Sequence, residues 1–163
     1  KMEPRVLKRK SFQIVGYALC ANLKEIEEQN LGKQTLARLE DSFSEIHNKV
    51  GNNIYLVQIY PMKDDFNAME DAFTQIIGYE VSDAVCIPEF ATHHIIPENF
   101  YVTYTHQGPE AELYKTYDYL YRDWLGANNF QPIGYDAELW DKRYKPESIE
   151  NEIDVFIAVK EKE

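Results

Sequence analysis

The order in which apolar periodicities change along the chain is what most limits the folds open to it. Residues 4 to 20 alternate and then run apolar (Val6, Leu7, Phe12, Ile14, Val15, Tyr17, Leu19), which predicts a strand with Gly16 at a bulge or close approach. The acidic stretch from Asn22 to Gln34, broken by Gly32, reads as a loop or frayed turn before a helix. The period then changes: Leu36, Leu39, Phe43, Ile46 and Val50 form one stripe of an amphipathic helix that stops at Gly51-Asn52-Asn53. Strands follow over residues 54 to 60 and 73 to 81. After a winding connection containing Pro88 and Pro97, the succession returns with a strand over 100 to 106. Gly108-Pro109 opens a helix carrying Leu113, Tyr117, Leu120 and Trp124 on one stripe, and strands follow over 130 to 140 and 152 to 159.

Strand, helix, strand, strand therefore occurs twice. The fold expected is α+β, with duplicated strand-helix-strand-strand units over about 4–86 and 98–160. They would build a pseudo-twofold antiparallel sheet with two long helices on one side. The face without helices is left to line a ligand cleft between the halves, where small molecules usually bind.

A length of 163 residues fits one domain, and the apolar runs are too short to cross a bilayer. The opening Lys1-Met2-Glu3-Pro4 has no apolar signal region, so the expected location is the cytoplasm, with Lys1 read as a cloning remnant. The net charge of −11 argues against direct nucleic acid binding, which needs clustered Lys and Arg to release counterions. Cys20 and Cys86 read as free apolar thiols in strands. His93 and His94 are adjacent and have no completing ligand set, so no metal is assigned. No nucleophile elbow, P-loop or dinucleotide fingerprint occurs, and no cofactor is indicated.

Strand parity over 130 to 140 puts Asp136, Glu138 and Trp140 on one face and Tyr135, Ala137 and Leu139 on the other. We assign Ala137 and Leu139 to the helix side and Glu138 to the cleft. A carboxylate in aromatic surroundings meets a cation or holds its proton more tightly. Twelve Tyr, eight Phe and two Trp supply stacking faces for planar or cationic ligands. Tyr17, Tyr79, Tyr101 and Tyr104 lie on strands and join Glu138 and Trp140 as candidate ligand-binding residues, whereas Tyr117 and Tyr121 read as helix-to-sheet packing.

Several runs together resemble the GyrI-like small-molecule-binding domains, which also serve as effector-binding halves of drug-responsive transcription regulators. They are Phe12-x-Ile14-Val15-Gly16-Tyr17, I-I-G-Y-E-V at 76 to 81, Tyr101-Val102-Thr103-Tyr104-Thr105-His106-x-Gly108, Tyr121-x-x-Trp124-Leu125 and Asp136-Ala137-Glu138-Leu139-Trp140. The resemblance implies that Glu138 is an acid at the floor of an aromatic cleft. Two places depart from the pattern: Trp140 stands where the family usually has Tyr, and the first helix, which often carries a Leu-Trp pair, has Arg38-Leu39-Glu40-Asp41 here. The function implied is stand-alone binding of lipophilic, aromatic or cationic compounds for sequestration or sensing. The alternative is a cofactor-independent hydrolase opening the cyclopropane ring of DNA-alkylating natural products, with Glu138 as catalytic base. The partner expected is a small organic ligand; a homodimer stays open.

Overall fold

The structure is a computed structural model describing residues 2–163, so the reading of Lys1 lies outside it. Its strands are β1 (Arg5–Arg9), β2 (Phe12–Ala21), β3 (Lys49–Ile59), β4 (Phe73–Val81), β5 (Thr92–Ile96), β6 (Asn99–Gln107), β7 (Phe130–Trp140) and β8 (Glu152–Glu161). They form one sheet in the order β1-β6-β8-β7-β3-β4-β2-β5, every pair antiparallel. Outward from the central β3–β7 pair the order is β4, β2, β5 on one side and β8, β6, β1 on the other.

Chain connectivity forces this sheet to curl. Only residues 10 and 11 join β1 to β2, although the two strands lie six places apart. In a flat sheet that separation is roughly 29 Å, whereas three Cα steps reach at most about 11 Å. Residues 97 and 98 impose the same constraint between β5 and β6. The sheet therefore rolls until its ends meet. The helix-free face closes on itself through Ile14, Tyr55, Val57, Ile76, Ala137, Phe156 and Ala158. Arg9, from the far edge, lies 4.1 Å over the Phe156 ring.

The opposite face carries the helices. The stretch at 22 to 34, expected as a loop or frayed turn, is instead helical for most of its length, as α1 (Leu23–Glu28) and the start of α2 (Leu31–Asp41). Asn22 caps α1 in a reciprocal box with Glu25, a start signal that outweighs the acidic composition. The stripe expected to reach Val50 stops earlier. The chain leaves α2 at Ser42, makes a 3-10 turn at Phe43–Glu45 and enters β3 at Lys49, leaving Val50 exposed. Gly51 takes a positive φ of 71° where the β3–β4 register shifts.

The second helical arm opens with a 3-10 turn (Glu110–Glu112) and runs as α3 (Leu113–Asp118). It then widens into π-helical turns (Tyr119–Trp124) and closes as α4 (Leu125–Ala127). Leu39, Ile46, Leu113, Leu120 and Leu125 pack with Val15, Leu56, Ile77, Val155 and Ile157 into the core between helices and sheet. Two further expectations change. The predicted first strand divides into β1 and β2, six places apart in the sheet, and β5 lies inside the stretch read as a winding connection. Cys20 and Cys86 are both free and exposed, and Cys86 sits in a loop at a φ of 50°.

Gly16 faces Gly78 across β2 and β4, as the close approach expected at Gly16 requires. A Cβ on Gly16 would lie 1.9 Å from the Ile77 carbonyl oxygen, a contact only backbone movement could relieve. Gly16→Ala is expected to destabilise the protein by about 3 kcal/mol or more. Gly32→Ala in α2, where a Cβ meets nothing within 4 Å, should stabilise it by about 0.5 kcal/mol. Urea unfolding midpoints of the two variants moving in the same direction would contradict this reading of the sheet.

Candidate functional site

Register places the strand residues of the site in lateral rows. Tyr17 pairs with Ile77, Ile77 with Leu56, Leu56 with Glu138, Glu138 with Val155 and Val155 with Tyr104. Tyr17, Glu138 and Tyr104 thus share one row and one face, with Tyr17 roughly 14 Å and Tyr104 roughly 10 Å from Glu138 across the sheet. Tyr79 lies in the next row, linked through Ile54 to Trp140. Tyr101 is on the other face, where its hydroxyl donates to Pro97 O at 2.6 Å and meets the Tyr135 hydroxyl at 2.9 Å.

Two assignments are corrected here. Ala137 and Leu139 pack in the helix-free cluster, and the face of Asp136, Glu138 and Trp140 lies under the helices. The cause is the curl, which makes the helix-free face an apolar interior. Asp136 and Glu138 lie instead on the side where helix side chains bring them donors.

Glu138 is buried, and both its oxygens are occupied. Tyr117 of α3 donates to Oε2 at 2.6 Å, and the Trp140 indole donates to Oε1 at 2.9 Å. Asp136, two residues earlier on the same face, is fully buried. Its Oδ2 accepts from Tyr60 at 2.7 Å and from Tyr121 at 2.6 Å, and its Oδ1 from Gln58 Nε2 at 2.7 Å. Tyr117 and Tyr121 are stacked with centroids 6.2 Å apart, so one turn of helix reaches both acids. The sequence reading missed Tyr117, Tyr121, Tyr60, Gln58 and Asp136 as site residues. The usable signal was the pairing of tyrosines four apart on a helix with acids two apart on a strand, spacings that match at roughly 6 to 7 Å.

Among the described residues no salt bridge reaches either acid. Burial accordingly pushes Glu138 up to about 7 and Asp136 up to about 6, against the partial opposition of their hydrogen-bond donors. Burial first, then the neighbouring acids, also drives Tyr117 and Tyr60 well above the ordinary tyrosine range. Among the described residues no cluster of three or more His, Cys, Asp or Glu is placed to hold a metal, and no helix is long and apolar enough to cross a membrane.

The other aromatic candidates have partners of their own. Trp140 stacks on Tyr144 at 4.7 Å, and both line an open groove with Leu36, Glu40, Asn53 and Ile54. Tyr17 shares a 2.7 Å hydrogen bond with Ser42 and carries the Arg38 guanidinium 4.2 Å over its ring. Tyr79 meets Phe43 edge-on and Tyr104 packs on Tyr119. Of the six candidates, Glu138 and Trp140 are joined by a hydrogen bond.

Residues 2–160 match the family described as the GyrI-like small molecule binding domain. The transcriptional regulator BrlR of Pseudomonas aeruginosa is 25% identical over 89 residues, covering 53% of this chain and 33% of the regulator. The chain thus matches about a third of that protein's length. In fold it is similar to SAV2435 bound to tetraphenylphosphonium (TM-score 0.71, 13% identity, 98% of this chain and 94% of that one). The EcmrR C-terminal domain (TM-score 0.72, 13% identity, 98% of each chain) and a hydrolase from Listeria innocua (TM-score 0.57, 11% identity, 97% and 92%) share it too.

Acids whose proton affinity is raised on folding bind more protons folded than unfolded, so their contribution to stability falls as pH rises between the two values. For Glu138 that window runs from about 4.5 to about 7 and for Asp136 from 3.8 to about 6. Stability from these two groups is complete below about pH 3 and lost by pH 8, by up to about 3 kcal/mol per group. Glu138→Gln should flatten the decline of unfolding free energy between pH 5 and pH 8. A variant whose slope equals that of the wild type would show that Glu138 titrates normally.

Proposed function

We propose that this chain, a member of the GyrI-like small-molecule-binding family, captures lipophilic or aromatic organic cations at Glu138, as a sequestering or sensing domain. The observation that carries the reading is a pair of buried carboxylates whose partners are all neutral donors. A desolvated carboxylate without a counter-charge is costly, so a cation entering the site relieves a penalty already present in the empty protein. A cation over aromatic rings adds roughly 2 kcal/mol. With the burial of an apolar body and the charge contact, micromolar affinity, about 8 kcal/mol, is within reach.

The Trp140–Tyr144 stack forms the wall by which a ligand in the groove approaches Glu138, and one of the two donors on Glu138 gives way to it. Binding of tetraphenylphosphonium by the structurally similar SAV2435 supports this class of ligand. The matching strand orders on either side of β3 and β7 support the view that residues 1–163 are one domain made of two related units.

A second reading rests on the proton affinity of Glu138, close to that of a base working at neutral pH. Glu138 would take a proton from a water that attacks a cyclopropane carbon. The electron pair of the breaking C–C bond would pass to a conjugated carbonyl, which is then protonated. Incubation with such a compound checks this by mass spectrometry: a product heavier by one water supports it, and unchanged substrate at stoichiometric protein excludes it.

Tetraphenylphosphonium, whose charge does not titrate, separates the two roles. Its affinity is expected to rise from pH 6 to pH 8 as Glu138 ionises, and to fall about tenfold or more in Glu138→Gln at pH 8. Equal affinities of the two proteins by calorimetry would sink the binding reading.

A further inference from the structure

The amide of Gln58 is held in a single orientation. Its Nε2 lies 2.7 Å from Asp136 Oδ1 and 3.2 Å from the Tyr117 oxygen, while its Oε1 accepts from Gln75 Nε2 at 2.9 Å. An ionised carboxylate only accepts hydrogen bonds, so Asp136 obliges Gln58 to present its NH2 group. The Tyr117 oxygen receives one of those hydrogens, and its own single proton must then go to Glu138 Oε2, 2.6 Å away. With Asp136 neutral, Gln58 and Gln75 can turn in step. Gln58 Oε1 then faces Tyr117 and accepts its hydroxyl hydrogen, which turns away from Glu138 Oε2.

We propose that Asp136 is the positioning residue of this site: acting through Gln58, it aims the Tyr117 hydroxyl at Glu138 and thereby sets how readily Glu138 carries its negative charge. The proposal rests on the reading of Glu138 as the ligand-facing acid. The groups facing Glu138 are Tyr117 from the helix, Trp140 and Asp136 from its own strand, Tyr60 from the end of β3, Glu110 from the 3-10 turn and Tyr144 from the connection after β7. Tyr117 and Trp140 favour the charged form, and Glu110 and Asp136 oppose it.

Neutralising Asp136 therefore has two opposed consequences. Removing a like charge makes Glu138 easier to ionise, and losing the Tyr117 hydrogen bond makes it harder. The hydrogen bond dominates, because it is a 2.6 Å contact in a dry site, whereas a carboxylate two residues along a strand is roughly 7 Å away.

Carbon-13 NMR titration of the glutamate carboxyls, with Glu138 identified by its loss in Glu138→Gln, reads this directly. In Asp136→Asn the Glu138 midpoint is expected to move up by about half a pH unit, a threefold change in proton affinity. In a Tyr117→Phe background, where only the charge effect survives, the same substitution should move it down. A downward shift in Asp136→Asn alone overturns the proposal. Should that variant fail to fold, Tyr60→Phe removes one donor from Asp136 and keeps it neutral to higher pH; an upward Glu138 midpoint is expected and a downward one again overturns the idea. Tetraphenylphosphonium is titrated in parallel. Its failure to bind the wild type would remove the ligand reading, while the NMR midpoints still decide the role of Asp136.

Discussion

Two carboxylates buried under one helix, with no cation beside them, are the constraint on which the site depends. Each charge taken from water costs several kcal/mol unless donors replace the lost hydration. Here the donors are tyrosine and tryptophan side chains and one amide, and Tyr117 and Tyr121 come from the helical arm above β7. That arm is clasped to the strand at two points. Its π-helical turns begin between these residues, in the place where a regular helix is loosened to seat side chains for a site.

The clasp exists because of the curl. Two connections of two residues each force an eight-stranded sheet to roll, and rolling turns one face into a largely apolar interior. On β7 both acids, Asp136 and Glu138, lie on the helix side. Gly16 and Gly78 serve the same geometry, since they let β2 and β4 approach where any side chain would collide with backbone.

The helix side is divided between structure and recognition. Arg38 stacks on Tyr17, so one ring is already covered by a cation from the chain itself. Trp140 has an unusual double duty. Its indole N–H satisfies Glu138 while its ring, stacked on Tyr144, faces the groove. The indole thus joins the groove-facing stack to the buried acid behind it.

Much of this was legible in residue order. Period changes revealed β4, β6, β7 and β8 nearly to their ends, parity put Asp136, Glu138 and Trp140 together, and the spacing of short motifs pointed to the family. These are local properties, set by backbone geometry and side-chain period. The side of the sheet that faces the helices, the separation of Tyr101 from Glu138 and the joining of Tyr117 to Glu138 were decided only by tertiary structure. Each depends on which strand lies beside which, and that follows from closing a curled sheet over its own apolar face rather than from any run of neighbouring residues.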